Sequence, residues 1–342
     1  MSYDVEIGKL LSGRRELKDK GKFLLCSTNQ TIQEISTFAP HEGKFVSRGA
    51  MENALYDFCK CAISNYIEEG SNKDVYTFSL YTDSYNGSYL VYINNRASLD
   101  ENVADCYASY QEKYLINGDE LYNQTREEIY SSYKFSEGDY TFMFEEMPEC
   151  LESYLEVFSC ISQETPEYLS NEENYIFEKT IIDSELFLIA IDVIHRLQND
   201  LTQLNRTEDF IAYVSAADGV GGDYLTLSQL VRKCVPEDQL YKAMPDLKTK
   251  DLEFRSAVDA IYQLPLTQQV QHWVNVIEGG EFGEGSMKSF WRTDYEAYKQ
   301  LVELGNPVIP YIKEYLNCNL KDESKEILTI VLKDLVEQAD IL

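Results

Sequence analysis

The chain has 342 residues, with 59 acidic and 30 basic side chains and a formal net charge of −29. That balance argues against nucleic acid and anionic membrane surfaces as partners, because both are gripped by clustered Lys and Arg. A hydrophobic content of 44% with 13% aromatic residues marks a globular chain rather than a disordered acidic tail.

Along the chain, residues 1–48 give only short, poorly defined elements. The basic run from Arg14 to Lys22 is followed by Phe23-Leu24-Leu25-Cys26 alone, too short for a signal-peptide core. No run of 18 apolar residues occurs, so a cytoplasmic protein without a membrane span is expected. The spacing of Met51, Ala54, Leu55, Phe58, Ala62, Ile63, Tyr66 and Ile67 predicts a helix over Ala50–Glu69. A hairpin follows. Val75–Tyr81 alternates with Tyr76, Phe78 and Leu80 on one face, Asn86-Gly87 turns the chain, and Tyr89–Ile93 returns.

Charge is unevenly placed beyond this point. From Asp100 to Ala190 there are 22 acidic residues against four basic ones (Lys113, Arg126, Lys134 and Lys179), a net of −18, with ten tyrosines from Tyr107 to Tyr175. Acid steers the encounter with a basic protein, and tyrosine supplies rigid contact area with a polar tip. A purely solubilising surface has the same composition. Within this window Leu99–Tyr133 reads as helical, Tyr140–Phe144 as a short strand, and the segment after Pro148 as a helix. Ile181–Leu204 reads as one long apolar helix and Phe210–Ala216 as a buried strand. After Pro245 only helices are predicted: Leu252–Leu264, Thr267–Ile277, Thr293–Leu304, Val308–Leu316 and Glu323–Ala339. The fold class is α+β. A first domain, 1–245, carries a mostly antiparallel sheet flanked by helices, and a second, 246–342, consists of helical hairpins.

Chemistry is sparse. His41, His195 and His272 do not stand at metal-ligand spacing with one another or with a cysteine, and the eight scattered cysteines read as reduced thiols. No metal and no cofactor is expected. Gly219–Gly222 follows a strand candidate, but Asp218 and Asp223 flank it where phosphate would need a cation, so it reads as a turn. The pairs Glu127-Glu128, Glu145-Glu146 and Glu172-Glu173 are too numerous to single out an acid and base. Glu278–Gly285 joins two helices and is glycine-rich, with Glu278, Glu281 and Glu284 around Phe282. It reads either as a disordered connector or as a mobile loop able to insert into a cleft.

The helix from Ala54-Leu55-Tyr56, the run Tyr76-Thr77-Phe78-Ser79-Leu80-Tyr81-Thr82-Asp83, the segment Tyr133–Glu137 with Tyr140, and the run Glu208–Val214 carry a resemblance. With them, residues 49–217 resemble a bacterial domain-of-unknown-function family, number 4303. Separately, Tyr298–Leu316 resembles one hairpin of a helical repeat, with Gly305 and Pro307 at its turn. The family resemblance implies a non-enzymatic immunity protein of polymorphic, Rhs-type toxin systems, as in type VI secretion and interbacterial competition. Such a protein binds a cognate toxin domain with a basic cleft and occludes it. Nucleases and ADP-ribosyltransferases both have clefts of that kind. The candidate contacts are Glu127, Glu128, Tyr130, Tyr133, Glu145 and Glu146 in the acidic window, and Glu278, Glu281, Phe282 and Glu284 in the loop. An enzyme that reverses a toxin's modification, or a helical-repeat adaptor, are the alternatives.

Overall fold

A computed structural model describes residues 2–15, 17–36, 42–169, 173–216, 229–283 and 285–341. His41, Glu172, Glu284 and the 218–223 turn lie outside them. The fold is α+β, and its contacts divide the chain into two compact units.

The larger unit comprises Leu17–Ala217 with Cys234–Gln239. It holds two four-stranded sheets rather than one. In the first, β1 (Phe23–Ser27) lies between β2 (Thr31–Ile35) and β7 (Tyr175–Glu178), with β3 (Lys44–Val46) parallel to β7 on the far side. The second sheet has the order β6-β5-β4-β8. Here β4 (Val75–Asp83) and β5 (Ser88–Asn95) form the predicted hairpin, β6 (Phe142–Phe144) pairs antiparallel to β5, and β8 (Arg206–Ala216) runs parallel to β4. The hairpin turn needs glycine at Gly87, whose φ is 69° and where a Cβ would sit 2.8 Å from the Leu155 carbonyl oxygen.

One face of the second sheet carries Phe78, Leu80, Val91 and Tyr89, and the Tyr89 hydroxyl donates to the Leu186 carbonyl at 3.1 Å. The opposite face carries Ser79 and Tyr213, and both hydroxyls donate to Glu137 Oε1, at 3.0 and 2.7 Å. Strict alternation predicts Tyr76 on the Phe78 face. A bulge between Val75 and Thr77 shifts the register, and Tyr76 instead packs with Leu99, Val103 and Ile129.

Helix α2 (Arg48–Glu68) begins at Ser47, whose hydroxyl accepts the Ala50 N–H at 3.0 Å. Next come α3 (Arg96–Asn117), α4 (Arg126–Tyr133) and α5 (Glu149–Ser162). The single helix predicted over Ile181–Leu204 is broken into α6 (Thr180–Asp183), α7 (Phe187–Arg196) and a 3₁₀ turn at Asp200–Gln203. Glu185 and Leu186 take φ of 50° and 63°, which no α-helix admits. Full burial of Leu186 and the bond from Tyr89 hold that strained link in place.

The second unit comprises Met1–Glu16, Asp218–Lys233 and Leu240–Leu342. The division expected at Asp246 differs from this one. Helix α1 (Ser2–Leu11) belongs with the helical unit because Val5 is buried in the same core as Trp273, Tyr298 and Leu335. Gly8 lets α1 approach, since a Cβ there would overlap the Tyr295 ring. The short helices α8 (Val231–Cys234) and α9 (Glu237–Ala243) precede α10 (Pro245–Tyr262), α11 (Leu266–Ile277), α12 (Asp294–Glu303), α13 (Ile309–Leu316) and α14 (Asp322–Ile341). The turn between α12 and α13 uses Gly305 at φ 73° and Pro307 in the 3₁₀ turn Asn306–Val308.

Candidate protein interface

The site begins with Tyr66. Its apolar spacing buries it under the second sheet, and its hydroxyl donates to the Ser71 carbonyl at 2.8 Å while accepting from Asn95 Nδ2 at 3.1 Å. Asn95 is also the N-cap of α3, accepting the Ser98 N–H at 2.9 Å. The Tyr66 ring meets Phe142 edge-on, with centroids 4.9 Å apart. This contact holds the edge strand β6 against the C-terminal half of α2 and leaves a groove of about 550 Å³ between them.

Phe58, Ala62 and Phe144 line the groove with apolar surface, and Met143 stands half exposed beside them. Four carboxylates line it as well: Glu68 and Glu69 at the end of α2, and Glu145 and Glu146 just past β6. No lysine or arginine is among its described lining residues. Among the described residues none of the four glutamates is held in an ion pair. Three of the window's four cations are engaged elsewhere, and the fourth, Arg126, is exposed in the first turn of α4 and does not line the groove. Lys134 pairs with Asp209 at 2.9 Å, Lys179 with Asp19 at 2.9 Å and Glu34 at 2.6 Å, and Lys113 lies over the rings of Tyr110 and Tyr122.

Two of the four carboxylates sit where the backbone disfavours them. Glu68 and Glu69 stand at the negative end of the α2 dipole, a place suited to Lys or Arg. Neither side chain has an ion pair or side-chain hydrogen bond among the described residues. Glu68→Gln combined with Glu69→Gln is expected to raise unfolding stability at low salt by roughly 0.3–1 kcal/mol. Urea denaturation measures this, and a loss of stability would show that the pair serves the fold instead.

The other sequence candidates do not line the groove. The Glu128 carboxylate closes a capping box on α4, accepting the Thr125 N–H at 2.7 Å, which holds its pKa below the usual glutamate value. Glu127 is exposed in the same first turn, where the helix dipole favours it. Tyr130 is half buried, and its hydroxyl bonds the Arg96 guanidinium, which also pairs with Asp209. Burial alone would raise the Asp209 carboxyl, but its bonds from Lys134 and Arg96 hold it far below the ordinary range. Tyr133 is half buried beside Cys106, in a shallow hollow with Tyr110. Sequence reasoning found Glu145 and Glu146 but missed Glu68 and Glu69. The signal available for those two was an acidic helix C-terminus with no basic residue in its last turn.

The loop reading of Glu278–Gly285 is overturned for Phe282. That side chain is fully buried, stacked 5.5 Å from Trp273 and packed against Phe254 and Phe290 at 5.4 and 5.2 Å. Its N–H donates to the Gly285 carbonyl at 2.6 Å and its carbonyl accepts the Gly285 N–H at 3.1 Å, so the turn is pinned. Glu278 is tied down too, its carboxylate accepting the Lys321 N–H at 3.1 Å. Glu281 remains exposed.

Among the described residues, no group of three or more His, Cys, Asp or Glu is placed to hold a metal ion. No helix among them is long and apolar enough to cross a membrane. The chain matches no protein-family model, no curated protein and no solved structure.

Proposed function

We propose that this chain is an immunity-type inhibitor. It binds a toxin domain through a basic segment and blocks that domain's active site or substrate surface without turnover. The observation that carries the reading is the groove between α2 and β6, where Glu68, Glu69, Glu145 and Glu146 surround an apolar floor with no cation among its described lining residues. A lysine or arginine entering it meets four carboxylates at its head and apolar surface along its stem. The sequence pattern of residues 49–217 suggests the same reading, although no family model matches the chain. Partners with positive clefts, nucleases and ADP-ribosyltransferases among them, are the matching class.

The test is titration of the purified cognate toxin domain with the full chain. Activity should fall linearly to zero at one equivalent, whereas suppression at a small fraction of an equivalent would point to an enzyme. Changing all four groove glutamates to glutamine should slow association by about tenfold or more and flatten its salt dependence. Stopped-flow association across ionic strengths reads both effects. An unchanged rate would place the contact elsewhere.

A further inference from the structure

We infer that the projecting end of α3, with the turn that follows it, is a preformed apolar anchor that seats in a depression on the same basic partner. The inference rests on the proposed function. Helix α3 has 22 residues, yet only Leu99 and Val103, in its first turns, are buried. At its far end Leu115, Ile116 and Leu121 are 83%, 72% and 63% exposed. Elsewhere among the described residues, large apolar side chains more than half exposed (Tyr85, Tyr168 and Leu252) stand singly along the chain. Three within seven residues form a concentration that the fold itself does not use.

The tip is rigid. Gly118, at φ 64°, ends the helix in the left-handed conformation, and its N–H donates to the Tyr114 carbonyl at 2.8 Å. The 3₁₀ turn Glu120–Tyr122 folds back so that Tyr122 meets Tyr110 edge-on at 5.3 Å, with Lys113 over both rings. The Tyr114 hydroxyl donates to Glu120 Oε1 at 3.3 Å, and Asn123 Nδ2 donates to Glu120 Oε2 at 2.8 Å. A knob already ordered before contact loses little conformational entropy on binding.

Charge selects the occupant. Glu112, Asp119 and Glu120 flank the apolar side chains and are exposed. A second copy of the chain would bring these carboxylates, and a net charge of −29, against their own likeness. A basic protein with an apolar depression meets attraction at the rim and burial at the centre, the arrangement of an interface hot spot.

The experiment compares the full-length wild-type chain with a Leu115→Ser, Ile116→Ser, Leu121→Ser variant, both titrated against the cognate toxin domain. Because all three side chains are exposed, the thermal unfolding midpoint should not move. Kd should rise at least about 30-fold, through faster dissociation with association nearly unchanged, since the steering charges remain. An unchanged Kd for the variant, with tight wild-type binding, overturns the anchor and leaves the proposed function standing. Failure of the wild-type chain to bind overturns both. Sedimentation showing a wild-type dimer that the variant abolishes would overturn the choice of partner in favour of a second copy.

Discussion

Phe282→Ala is expected to destabilise the helical unit by about 3–5 kcal/mol, because it empties the centre of an aromatic cluster. Phe282 is 0% exposed and touches Trp273, Phe254, Phe290 and His272 at once. The surrounding rings come from α10, α11 and the 3₁₀ turn Met287–Phe290, all held by other contacts, so the cavity has little freedom to collapse. The chain's two tryptophans are Trp273 and Trp291. Both belong to the helical unit, so tryptophan fluorescence during urea unfolding reports that unit alone. Glu281→Gln, in the same segment but exposed, should change stability by no more than about 0.5 kcal/mol. Equal effects from the two substitutions would contradict the burial of Phe282.

Asp251→Ala should cost a similar amount, about 3–5 kcal/mol, by a different route. Asp251 is fully buried, and its Oδ1 accepts from both Arg232 and Arg292 at 2.6 Å, while Oδ2 accepts from the Tyr241 hydroxyl at 2.8 Å. Arg292 has a second partner in Glu296 at 2.9 Å and lies over the Phe254 ring. Arg232 has no second ion pair among the described residues, so removing Asp251 strands a guanidinium that is largely out of water. Burial acts to raise the Asp251 carboxyl, but the hydrogen bond and charge of Arg232, with Tyr241 and Arg292, hold it below its ordinary value. A carboxyl depressed in the fold contributes stability above its unfolded pKa and loses that contribution as pH falls through the folded pKa. The stability gap between wild type and Asp251→Asn should therefore be full at neutral pH and shrink under acid. A gap independent of pH would mean that the carboxylate charge is not what holds the two arginines.

Much of the fold was legible where one element's residues carry their own period. Helix α2 shows its apolar face at three- and four-residue spacing, α5 follows Pro148, and the hairpin alternates around Asn86-Gly87. The helices after Pro245 were readable for the same reason, although α10 starts at Pro245 itself rather than at Leu252. The first sheet was not legible. Its strands β1, β2 and β3 have five, five and three residues, and the strand that joins β1 to β3 is β7, far along the chain. Strands that short give no reliable alternation, and nothing local signals such a distant partner. The break at Glu185-Leu186 was invisible for a related reason. Both residues suit a helix, and it is the burial of Leu186 and the Tyr89 hydroxyl's bond to its carbonyl that make the left-handed link tolerable.

The sequence by itself determined the acidity, the concentration of charge and tyrosine between Asp100 and Ala190, and the α+β class, because these follow from composition and from periods within single elements. Tertiary structure decided which of the many carboxylates lie together. Glu68-Glu69 and Glu145-Glu146 are distant in sequence and share the groove between α2 and β6, where Tyr66 and Phe142 pack edge to face. It also decided that Phe282, set among glycines and glutamates as a loop tip would be, is a core residue. Gly280 and Gly283 permit the tight turn, and the aromatic rings of Trp273, Phe254 and Phe290 supply the apolar pocket that draws Phe282 inward. Burial of an aromatic ring depends on what surrounds it in space, and local composition carries no record of those neighbours.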